Sequence, residues 1–349
     1  MRLCTFEIRT ALGRHQRLGA FTTEGIIDLN SACAWHLLRK GEAQPGRLAN
    51  AIVPSAMLGF LQGEITSMTF ARASLEDFRQ EVNSGKIPAG QASGTGPTGP
   101  VGPIGPIGPI GLNGATLAFK PGEIKLLAPL PHPASMRDFY AFEHHVKKGF
   151  EKRGEPMPPE WYEMPVYYKG NHQSIIGPDQ DVRWPSFTEK FDYELELAII
   201  IGKQGRDIPE DQARDYIAGY TVMNDFSARD IQRKEMKVRL GPAKGKDFAT
   251  AIGPVLVTPD EIPDPYNLRM TAKINGETWS EGNSGSIFHS FEKMIAFASS
   301  EETLFPGDLI GSGTVGTGCG LELDRWVKPG DLMELEIENI GVLRNRVVK

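Results

Sequence analysis

The sequence predicts a mixed α+β fold that is mainly β. Three observations carry that expectation. Glycine and proline are abundant, at 39 and 26 of 349 residues, which favours turns and short strands over a helical bundle. From about residue 123 onward, several short runs are rich in β-branched and aliphatic residues and are bounded by turn formers. Helical spacing is confined to a few stretches. In chain order, residues 3–9 and 18–29 read as strands around turns. Residues 56–83 carry helical spacing of Leu58, Leu61, Phe70, Leu75 and Phe78, weakened by Gly59 and Gly63. Residues 195–202, 255–258, 270–274 and 332–340 read as strands, and 207–216 and 290–298 as helices. The first of those helices has Pro209 near its start and two acids just after, as a helix N-terminus prefers. The expected organisation is a small N-terminal α+β domain over 1–85, a Gly/Pro-rich linker over 86–122 and a larger domain over 123–349.

Inside the linker, glycine recurs every third residue from Gly96 to Gly114, with proline after it at 97, 100, 103, 106 and 109. That is the collagen period. A short triple helix that trimerises the chain is one reading. An extended, polyproline-like segment is preferred, because the triplets are few and their third position holds Thr, Val or Ile rather than proline.

Composition excludes several function classes. A net charge of −6 argues against non-specific nucleic-acid binding. No stretch is long and apolar enough to span a bilayer, so no membrane partner is expected. Cys4, Cys33 and Cys319 are odd in number and scattered, which suggests free thiols in a reducing compartment. Met1-Arg-Leu-Cys-Thr-Phe-Glu7 carries charge where a signal peptide needs an apolar run, and the expected location is the cytoplasm.

The run Asp192-Tyr-Glu-Leu-Glu-Leu-Ala-Ile-Ile-Ile-Gly202 holds the strongest functional signal. Side chains alternate along a strand, so Glu194 and Glu196 share one face and Leu195 and Leu197 the other. The strand is expected to be buried beyond Leu197. Two carboxylates side by side near a core repel and lose hydration unless a cation neutralises them, and a hard divalent metal is the simplest such cation. The alternative is a solvated edge face with two unrelated glutamates.

Three flanking segments join this one in order: Arg137-Asp-Phe-Tyr-Ala-Phe-Glu-His-His145, Met223-Asn-Asp-Phe-Ser-Ala-Arg-Asp-Ile-Gln232 with Gly241-Pro-Ala-Lys-Gly-Lys-Asp247, and Gly311-Ser-Gly-Thr-Val-Gly-Thr-Gly-Cys-Gly-Leu-Glu322. Together they resemble the fumarylacetoacetate hydrolase family over roughly two-thirds of the chain. The resemblance implies a mixed β-sandwich roll with a metal site at one mouth, preceded by a small domain, and a homodimer. It implies Asp138, Glu194, Glu196 and Asp225 as metal ligands. Carboxylate ligands independently suit Mg²⁺, with Mn²⁺ or Ca²⁺ as alternatives, over zinc or copper. It makes His145 the general base, with His144 as the competing ring, and Glu322 its orienting acid, with Glu143 as the second choice. It makes Arg229, Gln232 and Lys246 the polar cluster around the reacting oxygen, with Lys244 as the fallback for Lys246. Tyr140, Tyr168 and Thr314 match substrate-contacting positions, and Tyr167 adjoins the second. Thr250 would support the metal's water shell, and Lys147 and Lys148 could supply charge for a substrate carboxylate.

The implied activity is metal-dependent hydrolysis of a carbon–carbon bond in a small β-diketo acid. Fumarylacetoacetate, cleaved to fumarate and acetoacetate, or a related acylpyruvate is the expected substrate. The alternatives are an oxaloacetate decarboxylase, an enol–keto isomerase or a sugar diketo-acid hydrolase using the same site. A remote alternative is a non-catalytic scaffold assembled through the Gly-X-Y tract.

Overall fold

The computed structural model describes residues 1–10, 13–84 and 116–349, and the Gly-X-Y tract lies outside them. The chain divides into two compact units, Met1–Leu127 and Ala128–Lys349. The α+β class expected from the sequence is what the structure has.

The first unit opens with the antiparallel strands β1 (Arg2–Thr10), β2 (Gly13–Thr22) and β3 (Gly25–Asp28). Asp28 ends β3 and caps α1 (Leu29–Arg39) by accepting a 2.9 Å hydrogen bond from the Ser31 amide. Helices α2 (Pro45–Ile52), α3 (Met57–Gln62) and α4 (Glu64–Asn83) follow. The helical stretch expected over 56–83 is thus two helices, broken at Gly63, where glycine's low helix propensity wins over the apolar spacing. Strands β4 (Ala118–Phe119) and β5 (Lys125–Leu126) return to pair with β3 and β1. Leu3, Phe6, Ile26, Leu29, Phe60 and Phe78 are buried in its core.

The second unit begins with β6 (Ser135–Phe139), α5 (Glu143–Arg153), the single turn α6 (Glu160–Glu163) and β7 (Tyr167–Lys169). The short strands β8 (Ile175–Ile176), β9 (Val182–Arg183) and β10 (Phe191–Asp192) lead into β11 (Leu195–Ile201) and β12 (Gly205–Arg206). Next come β13 (Ile217–Asp225), β14 (Ser227–Ala228), α7 (Arg229–Lys237) and β15 (Thr250–Val257). Strands β16 (Arg269–Ile274) and β17 (Glu277–Asn283), α8 (Phe291–Ser299), β18 (Thr303–Leu304) and β19 (Asp308–Gly311) follow. Helix α9 (Gly320–Leu323) and the hairpin β20 (Leu332–Ile337) and β21 (Gly341–Val348) complete the unit.

One sheet of this unit runs β15-β13-β11-β19-β6-β7, and a second runs β17-β16-β20-β21-β9. Strands β20 and β21 pack over β13 and β15, closing a sandwich core around Val222, Ile252, Leu335 and Leu343. All of β11 is buried, not only the part beyond Leu197, because β13 and β19 flank it on both sides. The helix expected over 207–216 is a 3₁₀ turn, Glu210–Tyr216. The strand expected over 332–340 ends at Ile337, since Asn339, at φ +62°, turns the chain into β21. No helix among the described residues is long and apolar enough to cross a membrane.

Candidate active site

Strand register brings three distant carboxylates together. β19 pairs parallel with β6, which sets Gly311 beside Asp138, and antiparallel with β11, which sets Gly311 beside Ala198. Glu196 lies two residues up β11 on the same face as Ala198. Glu194 sits just ahead of the strand, bridged to Cys319, with its amide donating to the Asn224 side chain at 2.9 Å. Carboxylate oxygens of Asp138, Glu194 and Glu196 all lie within 4.8 Å of one another, and all three residues are buried.

These residues fit a hard divalent cation. Glu196 Oε2 is buried and accepts no hydrogen bond among the described residues. Gly311 leaves the cradle open: a Cβ there would stand 2.4 Å from Asp138 Oδ1 and 3.1 Å from Glu196 Oε2. Burial, with the neighbouring charge of Asp225, pushes the Asp138 carboxyl well above the usual range. Burial and then Asp138 and Glu194 do the same to Glu196. An all-oxygen donor set under mutual repulsion is what a hard cation relieves. Asp225 lies outside that 4.8 Å group but borders it: its charge acts on Asp138 and Glu196, and Lys246 pairs with both Asp225 and Glu194. Asp225 Oδ2 accepts from Tyr168 Oη and Lys246 Nζ, each at 2.6 Å, and its Oδ1 from Thr250 Oγ1 at 3.2 Å.

His145 and Glu322 form a buried pair, Nδ1 to Oε1 at 2.6 Å, and both line the same cavity as the trio. Helix α5 separates the two adjacent histidines by phase: His145 is buried, whereas the His144 side chain is 63% exposed and lies outside the cavity lining. His144 still comes within 3.3 Å of Glu322 Oε2. Glu143 faces away, bonded to Tyr162 and Lys147. The Thr317 amide donates to Glu322 Oε2 at 2.9 Å. Burial pushes the Glu322 carboxyl up, but the bond and charge of His145 outweigh it and hold the group below its usual value. Cys319 Sγ packs 3.5 Å from Glu322 Oε1 and stays a thiol, since burial pushes it well above the usual range.

Cations flank Glu194. Arg229 Nη2 lies 2.8 Å from its Oε1, and Lys246 Nζ pairs with its Oε2. Burial raises the Glu194 carboxyl, yet Arg229 and Lys246 prevail and hold it at about 2. Lys246 is the buried lysine of its segment, and Lys244 instead stands over the Phe187 ring. Arg229 Nη1 donates to Gln232 Oε1 at 3.1 Å, and both residues line the cavity.

Asp192 is the residue that sequence reasoning missed. It was legible only as the first residue of the Glu194–Glu196 run. It is fully buried and accepts four bonds: Arg229 Nε at 2.8 Å, the Gly320 and Leu321 amides at 2.8 and 3.0 Å, and its neighbour Tyr193 N at 3.0 Å. It therefore ties the start of α7 to the turn that carries Glu322. Asp192→Ala is expected to lower the free energy of unfolding by about 3–5 kcal/mol, the cost of stranding a buried partner charge. Urea unfolding measures this, and an unchanged midpoint would mean that Glu194 alone balances Arg229.

The remaining expected residues divide. Tyr140, Tyr168 and Thr314 line the cavity, and Thr314 Oγ1 donates to Glu196 Oε1 at 3.4 Å. Tyr140 stands edge-on to the His145 ring at 5.3 Å, and burial pushes its hydroxyl up to about 12. Tyr167 also lines the cavity but packs its ring on Phe139 at 4.8 Å. Gly313 adopts φ +77°, and its amide reaches Asp138 Oδ1 at 3.2 Å, a close approach that glycine permits. Lys147 is paired with Glu143 outside the cavity, and Lys148 lines it while paired with Glu151. The cavity has a volume of about 730 Å³.

Comparison with known proteins adds to this geometry. Residues 135–348 match the family model described as fumarylacetoacetate (FAA) hydrolase, C-terminal. A mitochondrial oxaloacetate tautomerase of Xenopus laevis is 36% identical over 226 residues, 64% of this chain and 69% of the relative. The crystal structure of a 5-carboxymethyl-2-hydroxymuconate delta-isomerase from Mycobacterium smegmatis superposes with a TM-score of 0.56 at 29% identity, covering 68% of this chain and 84% of that one. A fumarylacetoacetate hydrolase from Exiguobacterium antarcticum shares the fold over 99% of both chains, with a TM-score of 0.64 at 22% identity.

Proposed function

The chain belongs to the fumarylacetoacetate hydrolase family, and from that premise we propose that it is a divalent-metal-dependent enzyme interconverting the enol and keto forms of a 2-oxo dicarboxylic acid, oxaloacetate being the simplest. The observation that carries this reading is the buried His145–Glu322 pair, 2.6 Å apart, facing the same cavity as three clustered carboxylates. The tautomerase relative, at 36% identity, supports it over the carbon–carbon hydrolysis expected first from the sequence.

Tautomerisation moves one proton between carbon and oxygen, so a single well-placed base suffices. Glu322 holds the Nδ1–H of His145, which leaves Nε2 as the basic nitrogen. His145 takes the proton from the carbon beside the carbonyl, and Glu322 stabilises the resulting imidazolium. The imidazolium returns the proton to the enolate oxygen, giving the enol and neutral His145. Arg229 and Lys246 line the same cavity and supply fixed positive charge against the negative charge of the enolate. Asp138, Glu194 and Glu196 would hold Mg²⁺ or Mn²⁺, which when bound supplies Lewis-acid polarisation of the substrate's oxygens.

A second reading, hydrolysis of a diketo acid, is favoured by Gln232, which lines the cavity with its Oε1 held by Arg229 and has amide N–H groups of the kind an oxyanion donor needs. One experiment separates the two. Ultraviolet enol absorbance of oxaloacetate is followed with Mg²⁺, with Mn²⁺ and with chelator, and products are analysed alongside. Metal-dependent acceleration of the enol–keto approach to equilibrium, with no new acid formed, is the expected result. Cleavage of acylpyruvates into two acids with the same metal dependence would instead select hydrolysis. No acceleration of either reaction would set both readings aside.

A further inference from the structure

We propose that His145, Cys319 and Glu322 form a second metal site, for a borderline-soft divalent cation such as Zn²⁺ or Cd²⁺, whose occupation takes the His145 base out of service. Binding at this site stands on its own geometry, and only its inhibitory effect rests on the reading of His145 given above.

Sequence spacing prepares the site. Cys319 immediately precedes α9 and Glu322 lies three residues on, so the two side chains share one face of that turn. Cys319 Sγ comes within 3.5 Å of Glu322 Oε1. Helix α5 supplies His145, whose Nδ1 lies 2.6 Å from the same oxygen and 4.0 Å from Sγ. One nitrogen, one sulfur and one oxygen thus lie within 4.8 Å of one another, and the group shares no residue with Asp138, Glu194 and Glu196. Its geometry is fixed from outside. Cys319 is bridged to Glu194, and Glu322 Oε2 accepts from the Thr317 amide at 2.9 Å, which leaves Oε1 to the group. The Arg229 charge that acts on Cys319 is balanced by Asp192 and Glu194.

The distances suit a tetrahedral ion. Zinc bonds of about 2.0–2.3 Å to nitrogen, oxygen and sulfur set neighbouring ligand atoms about 3.3–3.6 Å apart. The Sγ–Oε1 separation already meets this, and Sγ–Nδ1 closes by a few tenths of an ångström. The short Nδ1–Oε1 pair opens by about 0.7 Å once a cation replaces the hydrogen between them. Water takes the fourth position. Donor type decides which cation binds where. The three carboxylates suit hard Mg²⁺ or Mn²⁺, whereas thiolate with imidazole selects Zn²⁺ or Cd²⁺. His145 and Glu322 both line the cavity, which gives the ion its route in.

Proton balance gives the consequence. With the Nδ1–H of His145 held by Glu322, Nε2 carries the basic lone pair. A cation on Nδ1 moves that hydrogen to Nε2, so the nitrogen that served as the base becomes a donor. Cys319, which burial keeps a thiol in the metal-free protein, gives its proton to water, since a coordinating thiol is deprotonated outright. Zn²⁺, neutral His145, the Cys319 thiol and ionised Glu322 therefore yield a neutral zinc–imidazole–thiolate–carboxylate group and one released proton.

Cd²⁺ reports the site directly, because a cadmium–thiolate bond absorbs in the ultraviolet and a cadmium–carboxylate bond does not. Titrating the Mg²⁺-saturated natural chain with Cd²⁺ is expected to give that band at one equivalent. Glu196→Gln should give it equally, although its carboxylate group is impaired. The band should vanish in Cys319→Ser and Cys319→Ala, and Cd²⁺ affinity should fall by at least about tenfold in His145→Ala and in Glu322→Gln. No band in the natural chain overturns the proposal. So does a band undiminished in the Cys319 variants, which would place it on Cys4 or Cys33. Should neither Cys319 variant fold, unchanged Cd²⁺ affinity in His145→Ala does the same. In turnover, Zn²⁺ added over saturating Mg²⁺ should lower kcat of the natural chain by at least about tenfold, reversibly on chelation. Cys319→Ser, measured against its own rate without Zn²⁺, should lose most of that inhibition. A band without inhibition overturns the control of the base. Absence of any turnover before Zn²⁺ is added counts against the functional reading alone, since the band needs no catalysis.

Discussion

His145→Ala is expected to lower kcat by a factor of at least 100, with the fold intact. A positioned general base contributes roughly 10²–10⁴ in rate, and each factor of ten is about 1.36 kcal/mol of barrier. No other described side chain can take over. His144 is held outside the cavity on the exposed face of α5, and both carboxylate oxygens of Glu322 are engaged, by His145 Nδ1 and the Thr317 amide. His144→Ala should therefore leave kcat within a few-fold of the natural value. Glu322→Gln should fall between the two, since the amide keeps a hydrogen bond to Nδ1 but removes the charge that stabilises the imidazolium. Circular dichroism and thermal unfolding check that the variants fold. Full turnover in His145→Ala with loss in His144→Ala would reverse the assignment of the two rings.

The contrast between those histidines marks how far the sequence could be read. Two-residue periodicity put Glu194 and Glu196 on one face, and burial of β11 made their charge costly enough to require a partner. That much is local and needs no structure. The third carboxylate is not local. Asp138 joins the pair through the parallel pairing of β19 with β6, between segments far apart in the chain, and only the resemblance placed it there in advance. Helix α5 was not legible as a helix, because its composition, Glu-His-His-Val-Lys-Lys-Gly, lacks an apolar stripe. Without its phase, only the spacing implied by the resemblance favoured His145 over His144. The structure ends α5 at Gly154 in the left-handed conformation, a stop signal that glycine carries in the sequence. Asp192 escaped notice for the opposite reason. An aspartate beside a strand is ordinary, and its role depends on the Gly320 and Leu321 amides and Arg229, which the fold brings from two other segments.

Glu196→Gln is the substitution expected to separate metal binding from folding most cleanly. The side chain is fully buried beside Asp138 and Glu194, and burial and those two charges push its carboxyl well above the usual range. In metal-free protein the glutamine is therefore close to an isostere of the protonated acid, and it removes a source of repulsion from the cluster. The chelator-treated variant should unfold at or above the temperature of the natural chain. Cation binding asks for the opposite, a deprotonated oxygen at this position, since ligating carboxylates must give up their protons. Saturating Mn²⁺ at about 100 times Kd should stabilise the natural chain by about 2.7 kcal/mol, because only the folded state gathers the three carboxylates. In Glu196→Gln that metal-induced shift should largely vanish, together with metal-dependent turnover. Thermal unfolding with and without Mn²⁺ reads both effects in one experiment. A variant that loses stability without metal yet keeps the full Mn²⁺ shift would make Glu196 a structural carboxylate, and would move the ligand set toward Asp138, Glu194 and Asp225.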